Sequence, residues 1–257
     1  MNLYGIICNV NEKLIKNELI ENKQDIVKYI LNNAPNGGKI DLNIKISKNN
    51  NNWYPHFYNP PYNNGQKLRI ISGYKPKTQI LSANHYELEI LRILFLWAND
   101  NEIVKNMIEN TLSRLNNTCF GHYCSKGECL GASVSVLRFI NTIFPDKMEW
   151  IKKLFEPMSI FYREQKGMGM ENNFPFYYFC LVISEMPIKF VEAYIYEKKE
   201  FLKILLTKGC LNGPKENDTY NALKLYIIRN TLSRIKEYEY IKDEEIYIKN
   251  NRCYCKI

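Results

Sequence analysis

Histidine is scarce in this chain, three among 257 residues, and the patterns that would put it to catalytic use are missing. There is no Ser-His-Asp arrangement, no paired histidines of a zinc protease, and no phosphate-binding glycine loop. No apolar run approaches the roughly twenty residues needed to cross a bilayer, so no transmembrane segment is expected. The start, MNLYGIICNVNEK, lacks the basic residues and apolar stretch of a signal peptide. The expected location is therefore cytoplasmic. In that reducing compartment clustered cysteines are metal ligands or free thiols more often than structural disulfides. Blocks of like charge are missing too. The net charge of +8 comes from 35 basic against 27 acidic residues, mixed in stretches such as EYIKDEEIYIKNNR. A nucleic-acid groove would gather basic residues on one face with stacking aromatics between them, so nucleic acid is not an expected partner.

What is present is core. Hydrophobic residues make up 46% of the chain, enough at this length for one principal helical domain with a small appendage. The expected division is residues 1–77 and 78–257. From about residue 82 the sequence reads as a succession of helices, buried ones alternating with amphipathic ones. Asn84 and Glu87 have the spacing of a capping box, followed by LEILRILFLW, apolar almost all round. Asp100 is placed to cap NEIVKNMIENTLSRL, whose stripe runs through Ile103, Val104, Met107, Ile108, Thr111, Leu112 and Leu115. GASVSVLRFINTIF is small and apolar at its start and ends at Pro145. Asp146 and Glu149 suggest a second capping box, opening an amphipathic helix through Trp150 and Leu154 that carries Pro157. Pro175 opens FYYFCLVISEM, Pro187 opens a helix reaching Gly209, and Asp218 caps TYNALKLYIIRNTLSRI. The segments ENTLSRL and RNTLSRI share Asn-Thr-Leu-Ser-Arg, a trace of repetition consistent with helical hairpins.

The first 80 residues differ. Residues 12 to 33 read as helix. KIDLNIKIS alternates apolar and polar residues as a half-buried strand does, and KLRIISG is a candidate partner, giving a small N-terminal β-hairpin. Between them lies an Asn- and Pro-rich loop carrying Trp53, Tyr54, His56, Phe57, Tyr58 and Tyr62. It is read either as a lid or arm, or as aromatics docked on the domain itself.

Eleven residues stand apart: CFGHYCSKGEC, residues 119–129. Cys119, His122, Cys124 and Cys129 supply four soft or borderline ligands, the number a tetrahedral zinc needs, and zinc is the expected cofactor. The gaps match no standard finger or ribbon. Convergence requires a tight loop, which Gly121 and Gly127 permit. Pairing with Cys180, Cys210, Cys253 or Cys255 is a second scheme, and metal, free thiols and disulfides all remain open from sequence alone. The cluster precedes a buried helix. If the inner helices run the same way, His85, Glu128, Tyr177, Asp218 and Tyr220 gather with it at the positive ends of those helices and form a substrate-binding rim. Taken singly, each has a stronger plain reading: Asp218 as a cap, Tyr177 as a core residue, and His85 as a first-turn residue bonded to a carbonyl or loop.

The run CFGHYCSKGECLGASVSVLRFI, placed at the start of an inner helix, resembles the α/α-toroid proteins of the terpenoid cyclase and protein prenyltransferase superfamily. The likeness is concentrated in about residues 78 to 170, and Cys119, Gly121, Cys124 and the following helix correspond. It implies a mainly α architecture of helical hairpins, as a closed toroid or an open arc. It also implies an inner cavity binding an isoprenoid diphosphate or another hydrophobic small molecule, with zinc near its mouth. The Asp-rich motif of the cyclases, the Asp-x-Cys pair of the protein prenyltransferases and the Gln-Trp repeats are absent, so the resemblance carries no catalytic residue. The alternative is a non-catalytic helical-repeat scaffold whose concave face holds a peptide or another protein.

Overall fold

The computed structural model describes residues 3–33, 71, 73, 79–124, 129–164, 175–208, 210–211, 218–249 and 252–256. These are mainly helical. They comprise α1 (Leu3–Lys16), α2 (Lys23–Asn32), α3 (Gln79–Ala98), α4 (Glu102–Asn116), α5 (Cys129–Ile143), α6 (Met148–Glu164), α7 (Phe176–Glu185), α8 (Ile188–Lys208) and α9 (Asp218–Leu232). Three short strands, β1 (Cys210–Leu211), β2 (Ile246–Lys249) and β3 (Arg252–Cys255), complete the elements, with 3-10 turns at Cys119–Gly121 and Lys236–Ile241. No helix among the described residues is long and apolar enough to cross a membrane. The chain divides into two compact units. One comprises Met1–Val10, Ile20–Ile70 and Lys75–Phe174, the other Asn11–Leu19, Ile71–Tyr74 and Pro175–Ile257.

In the first unit α3 packs along α5, flanked by α2 and α4, while α6 covers α5. The apolar character of α3 explains its place: every residue from 84 to 94 is buried. Each fully buried Leu or Ile contributes about 1.5–3 kcal/mol relative to exposure. In α5 the small residues Ala132, Ser133 and Ser135 are buried with Val134, Val136, Leu137 and Phe139, as close approach to α3 requires. The amphipathic α4 buries Val104, Met107, Ile108, Thr111 and Leu115. Ile103, expected in that stripe, is 46% exposed.

Three local expectations need correction. Asn84 and Glu87 are not a capping box, because α3 begins at Gln79 and both lie inside it. The Asn84 amide oxygen accepts from Arg114 Nη1 at 2.8 Å, and Glu87 Oε1 accepts from the Thr111 hydroxyl at 2.7 Å. Their polarity serves the α3–α4 contact. The cap of α4 is Asn101, not Asp100; its side-chain oxygen accepts from the Ile103 amide at 2.9 Å and the Val104 amide at 3.4 Å. The single helix expected over 12–33 is two. Asn17 takes φ 58° and ends α1, as asparagine does more readily than other non-glycine residues, and Glu18 N–H donates to the Lys13 carbonyl at 2.8 Å.

In the second unit α9 packs against α7 and α8. The Asn230 side chain donates to the Ile15 carbonyl at 2.7 Å, tying the end of α1 to α9. The strands form a three-stranded antiparallel sheet in the order β1-β3-β2, with Cys210 opposite Cys253 and Ile246 opposite Cys255. This C-terminal sheet was not anticipated. The expected N-terminal strand pair and its aromatic loop lie outside the described residues, apart from Ile71, which is buried, and Gly73. Gly73 takes φ +85°, and a Cβ there would stand 3.0 Å from the Tyr220 ring.

The shared Asn-Thr-Leu-Ser-Arg segment has one job performed twice. In α4, Thr111 and Arg114 bond to side chains of the buried helix α3. At the end of α9, the Thr231 hydroxyl donates to the Cys180 carbonyl at 2.9 Å, and Arg234 Nη1 donates to the carbonyls of Ile183, Ser184 and Met186. Those carbonyls belong to the last turn of the buried helix α7 and the residue after it, where a cation is favoured. Each unit thus fastens one helix to a buried neighbour through a Thr and an Arg three residues apart, on either side of the same Leu-Ser pair.

Candidate functional site: the cysteine turn and its groove

The cysteine segment leaves the end of α4 and returns at the start of α5. Its beginning is held by α4's last turn, where Arg114 Nη2 lies 3.3 Å from Glu87 Oε1 on α3. The chain then tightens into the Cys119–Gly121 turn, with Gly121 N–H donating to the Thr118 carbonyl and His122 N–H to the Cys119 carbonyl. Two further tethers fix it. The Trp150 indole on α6 donates to the Gly121 carbonyl at 2.9 Å. The Ser133 hydroxyl on α5 lies 3.1 Å from the His122 carbonyl and 3.0 Å from the Cys129 carbonyl, joining the two arms of the segment.

Burial raises the Cys129 pKa, and its neighbours Cys124 and Cys119 add to the shift. Cys119 is exposed, and Cys124 and Cys129 are half-buried. Among the described residues no group of three or more His, Cys, Asp and Glu side chains could hold a metal ion. His122 is exposed and lines an adjacent groove. Glu128 lies outside the described residues.

That groove, of about 530 Å³, runs between the turn and the start of α6. Tyr123, Met148, Trp150 and Leu154 give it apolar walls, and Asp146, Lys147, Glu149 and Lys153 line it with charges of both signs. Asp146 and Glu149, expected as a capping box, thus contribute to a recess, and Glu149 also lies 3.9 Å from Lys152. The groove was not legible in the sequence. Its walls come from two segments some 25 residues apart in a chain whose local patterns only say turn and helix.

The remaining expected site residues fall elsewhere. His85 is buried in α3, its Nδ1 2.8 Å from the Ser135 hydroxyl on α5. Tyr177, Asp218 and Tyr220 belong to the second unit. Tyr177 is buried on α7 with the Lys224 ammonium 4.9 Å from its ring centre. Asp218 is the first residue of α9, and Tyr220 is half-buried against Gly73. Cys180, Cys253 and Cys255 are buried in the same unit. Burial pushes Cys180 far up and Cys255 to about 11, which makes both poor nucleophiles.

Sequence reasoning missed a charged cluster between α3 and α5. Arg138 Nη1 contacts both oxygens of Glu89, at 2.9 and 3.0 Å, and Arg92 Nη1 meets Glu89 Oε2 at 3.0 Å. All three side chains are buried. The available signal was the presence of Glu89, Arg92 and Arg138 inside helices otherwise apolar on every side.

His85 faces this cluster. Burial lowers its pKa from 6.5 to about 4; Glu89 opposes that shift, and Arg138 and Arg92 add to it. A folded-state value below the unfolded one means that protonation favours the unfolded chain. The stabilisation is present above pH 6.5 and is lost as pH falls toward 4. Between pH 7 and pH 5 the loss amounts to about 2 kcal/mol. Urea unfolding of wild type and His85→Gln at the two pH values checks this. The variant should have the flatter dependence, and equal slopes would refute the assignment.

No family model, curated protein or solved structure matches the chain.

Proposed function

We propose that this chain is a helical binding protein, and that the groove beside the cysteine turn takes a short segment of another polypeptide anchored by an apolar side chain. The observation carrying this reading is the fixing of Trp150. Its indole N–H is engaged by the Gly121 carbonyl, so the ring is held in place before any ligand arrives and little side-chain entropy is lost on binding. Tryptophan, tyrosine and methionine at the centre with charges of both signs around them is the composition of a protein-recognition site. The volume of about 530 Å³ lies within the range of pockets that enclose an anchoring group.

The isoprenoid-enzyme reading asks for a hollow lined by inner helices with His85 facing it. Support for the binding reading comes from the opposite arrangement in the first unit, where α3 and α5 pack together and His85 is bonded to Ser135 between them.

Selection of displayed random peptides on the full chain tests the proposal. Enriched peptides should share an apolar anchor and bind wild type at least ~10-fold more tightly than Trp150→Ala, a loss of about 1.4 kcal/mol or more, as for a central aromatic contact. Peptides that bind both proteins equally would remove the groove from consideration, provided melting curves show the variant folded.

A further inference from the structure

The C-terminal sheet has an open edge. Among the described residues the strand order β1-β3-β2 gives β2 a neighbour on one side only. Its register against β3 sets Tyr247 opposite Tyr254 and Ile246 opposite Cys255, and the Lys256 N–H donates to the Glu245 carbonyl at 3.2 Å. Because an antiparallel ladder alternates, residues 245, 247 and 249 turn their N–H and C=O groups toward β3. Ile246 and Ile248 point theirs outward. Such a row is a template for another strand, and charged residues are a common guard against it. Here the charges have a particular arrangement. Residues 245–249 read Glu-Ile-Tyr-Ile-Lys, a run that complements its own reversal: acid against base, isoleucine against isoleucine, tyrosine against tyrosine.

We propose that β2 pairs antiparallel with β2 of a second copy of this chain, about a two-fold axis at Tyr247, joining the two three-stranded sheets into one. In that register Ile246 stands opposite Ile248 of the second copy. The outward N–H and C=O groups of these two residues exchange hydrogen bonds, and symmetry repeats the exchange on the other side of the axis. Glu245 falls opposite Lys249 of the second copy, so charges of the kind that guard an edge become attractive between copies. A shift of two residues would place Glu245 opposite Tyr247 or Asn251 and lose those pairs. Tyr247 is 40% exposed and stacks on Tyr254 with 5.7 Å between ring centres. The pairing lays it beside its own copy and covers the ring. A single strand pair buries less than the ~1,600 Å² of a standard interface, so the dimer is weak and forms as concentration rises.

Sedimentation equilibrium of the full chain over a concentration series tests the pairing. Wild type should pass from monomer to dimer. Glu245→Lys and Lys249→Glu each set like charges opposite one another at two places, and each should weaken association at least ~10-fold. The double variant Glu245→Lys with Lys249→Glu restores opposite signs and should associate as wild type does. Ile246→Pro removes an outward N–H without taking one from the β2–β3 ladder, and it should weaken association likewise. Wild type that stays monomeric up to ~1 mM, single variants that associate as wild type, or a double variant that melts as wild type yet remains monomeric would each overturn the pairing. No peptide takes part in the measurement, so its outcome is separate from whether the groove is occupied.

Discussion

Glu89→Leu should lower the stability of the first unit by roughly 3–5 kcal/mol, the cost of removing one partner from a buried ion pair. Glu89 is 1% exposed and receives Arg138 on both oxygens and Arg92 on one. The variant leaves two guanidinium groups in the core without that carboxylate, and cations in such surroundings are far more costly than apolar atoms. The double variant Glu89→Leu with Arg138→Met should recover more than half of the loss, because well-packed apolar side chains can replace a buried ion pair at little net cost. Arg92 keeps a second partner there, its Nε donating to the Thr142 hydroxyl at 2.9 Å. Trp97 and Trp150 belong to the first unit. Tryptophan fluorescence during urea unfolding at pH 7 therefore reads this unit. A single-variant loss below about 1 kcal/mol, the range of an exposed pair, would show that the cluster is not the electrostatic anchor described.

Gly121→Ala is the second large effect. A Cβ at residue 121 would lie 2.6 Å from the Leu115 carbonyl carbon and closer still to its oxygen. Both are backbone atoms, so no rotamer change relieves the overlap. Either the last turn of α4 unwinds or the cysteine turn moves away from it. Overpacking with backbone displacement costs typically 1–3 kcal/mol, and the loss here should be at the upper end, about 3 kcal/mol. The same displacement moves the carbonyl that holds Trp150. Unfolding followed by tryptophan fluorescence should show the lowered midpoint, together with loss of the peptides selected on wild type. A variant as stable as wild type would mean that the close approach of α4 and the turn is not a constraint on the native chain.

Much of the helical architecture was legible in the sequence because helices announce themselves locally. The apolar runs of α3, α5 and α7 dictate burial, and Pro175, Pro187 and Pro145 sit where helices begin or end. The errors share one cause. Asn84 and Glu87 have the spacing of a cap, yet the hydrogen bonds that use them come from Arg114 and Thr111 across the α3–α4 contact. A polar residue's partner is settled by whatever the fold brings near it, and short-range spacing carries no information about that. The C-terminal sheet was passed over for a related reason. Ile246 and Ile248 alternate with polar residues, and so do Cys253 and Cys255, but the surrounding charges read as a solvated surface.

The candidate site divides along the same line. The sequence by itself determined that Cys119, Cys124 and Cys129 are close in the chain, that glycine stands at the turn, and that a buried helix follows. Only the tertiary structure decided that His122 and Tyr123 line a groove against the start of α6, because that depends on Ser133 and Trp150 reaching the turn from α5 and α6. It likewise decided that His85, read as a rim residue, belongs to the packed α3–α5 contact. Spacing along a chain sets which side chains can meet, and the packing of helices distant in sequence selects which of them do.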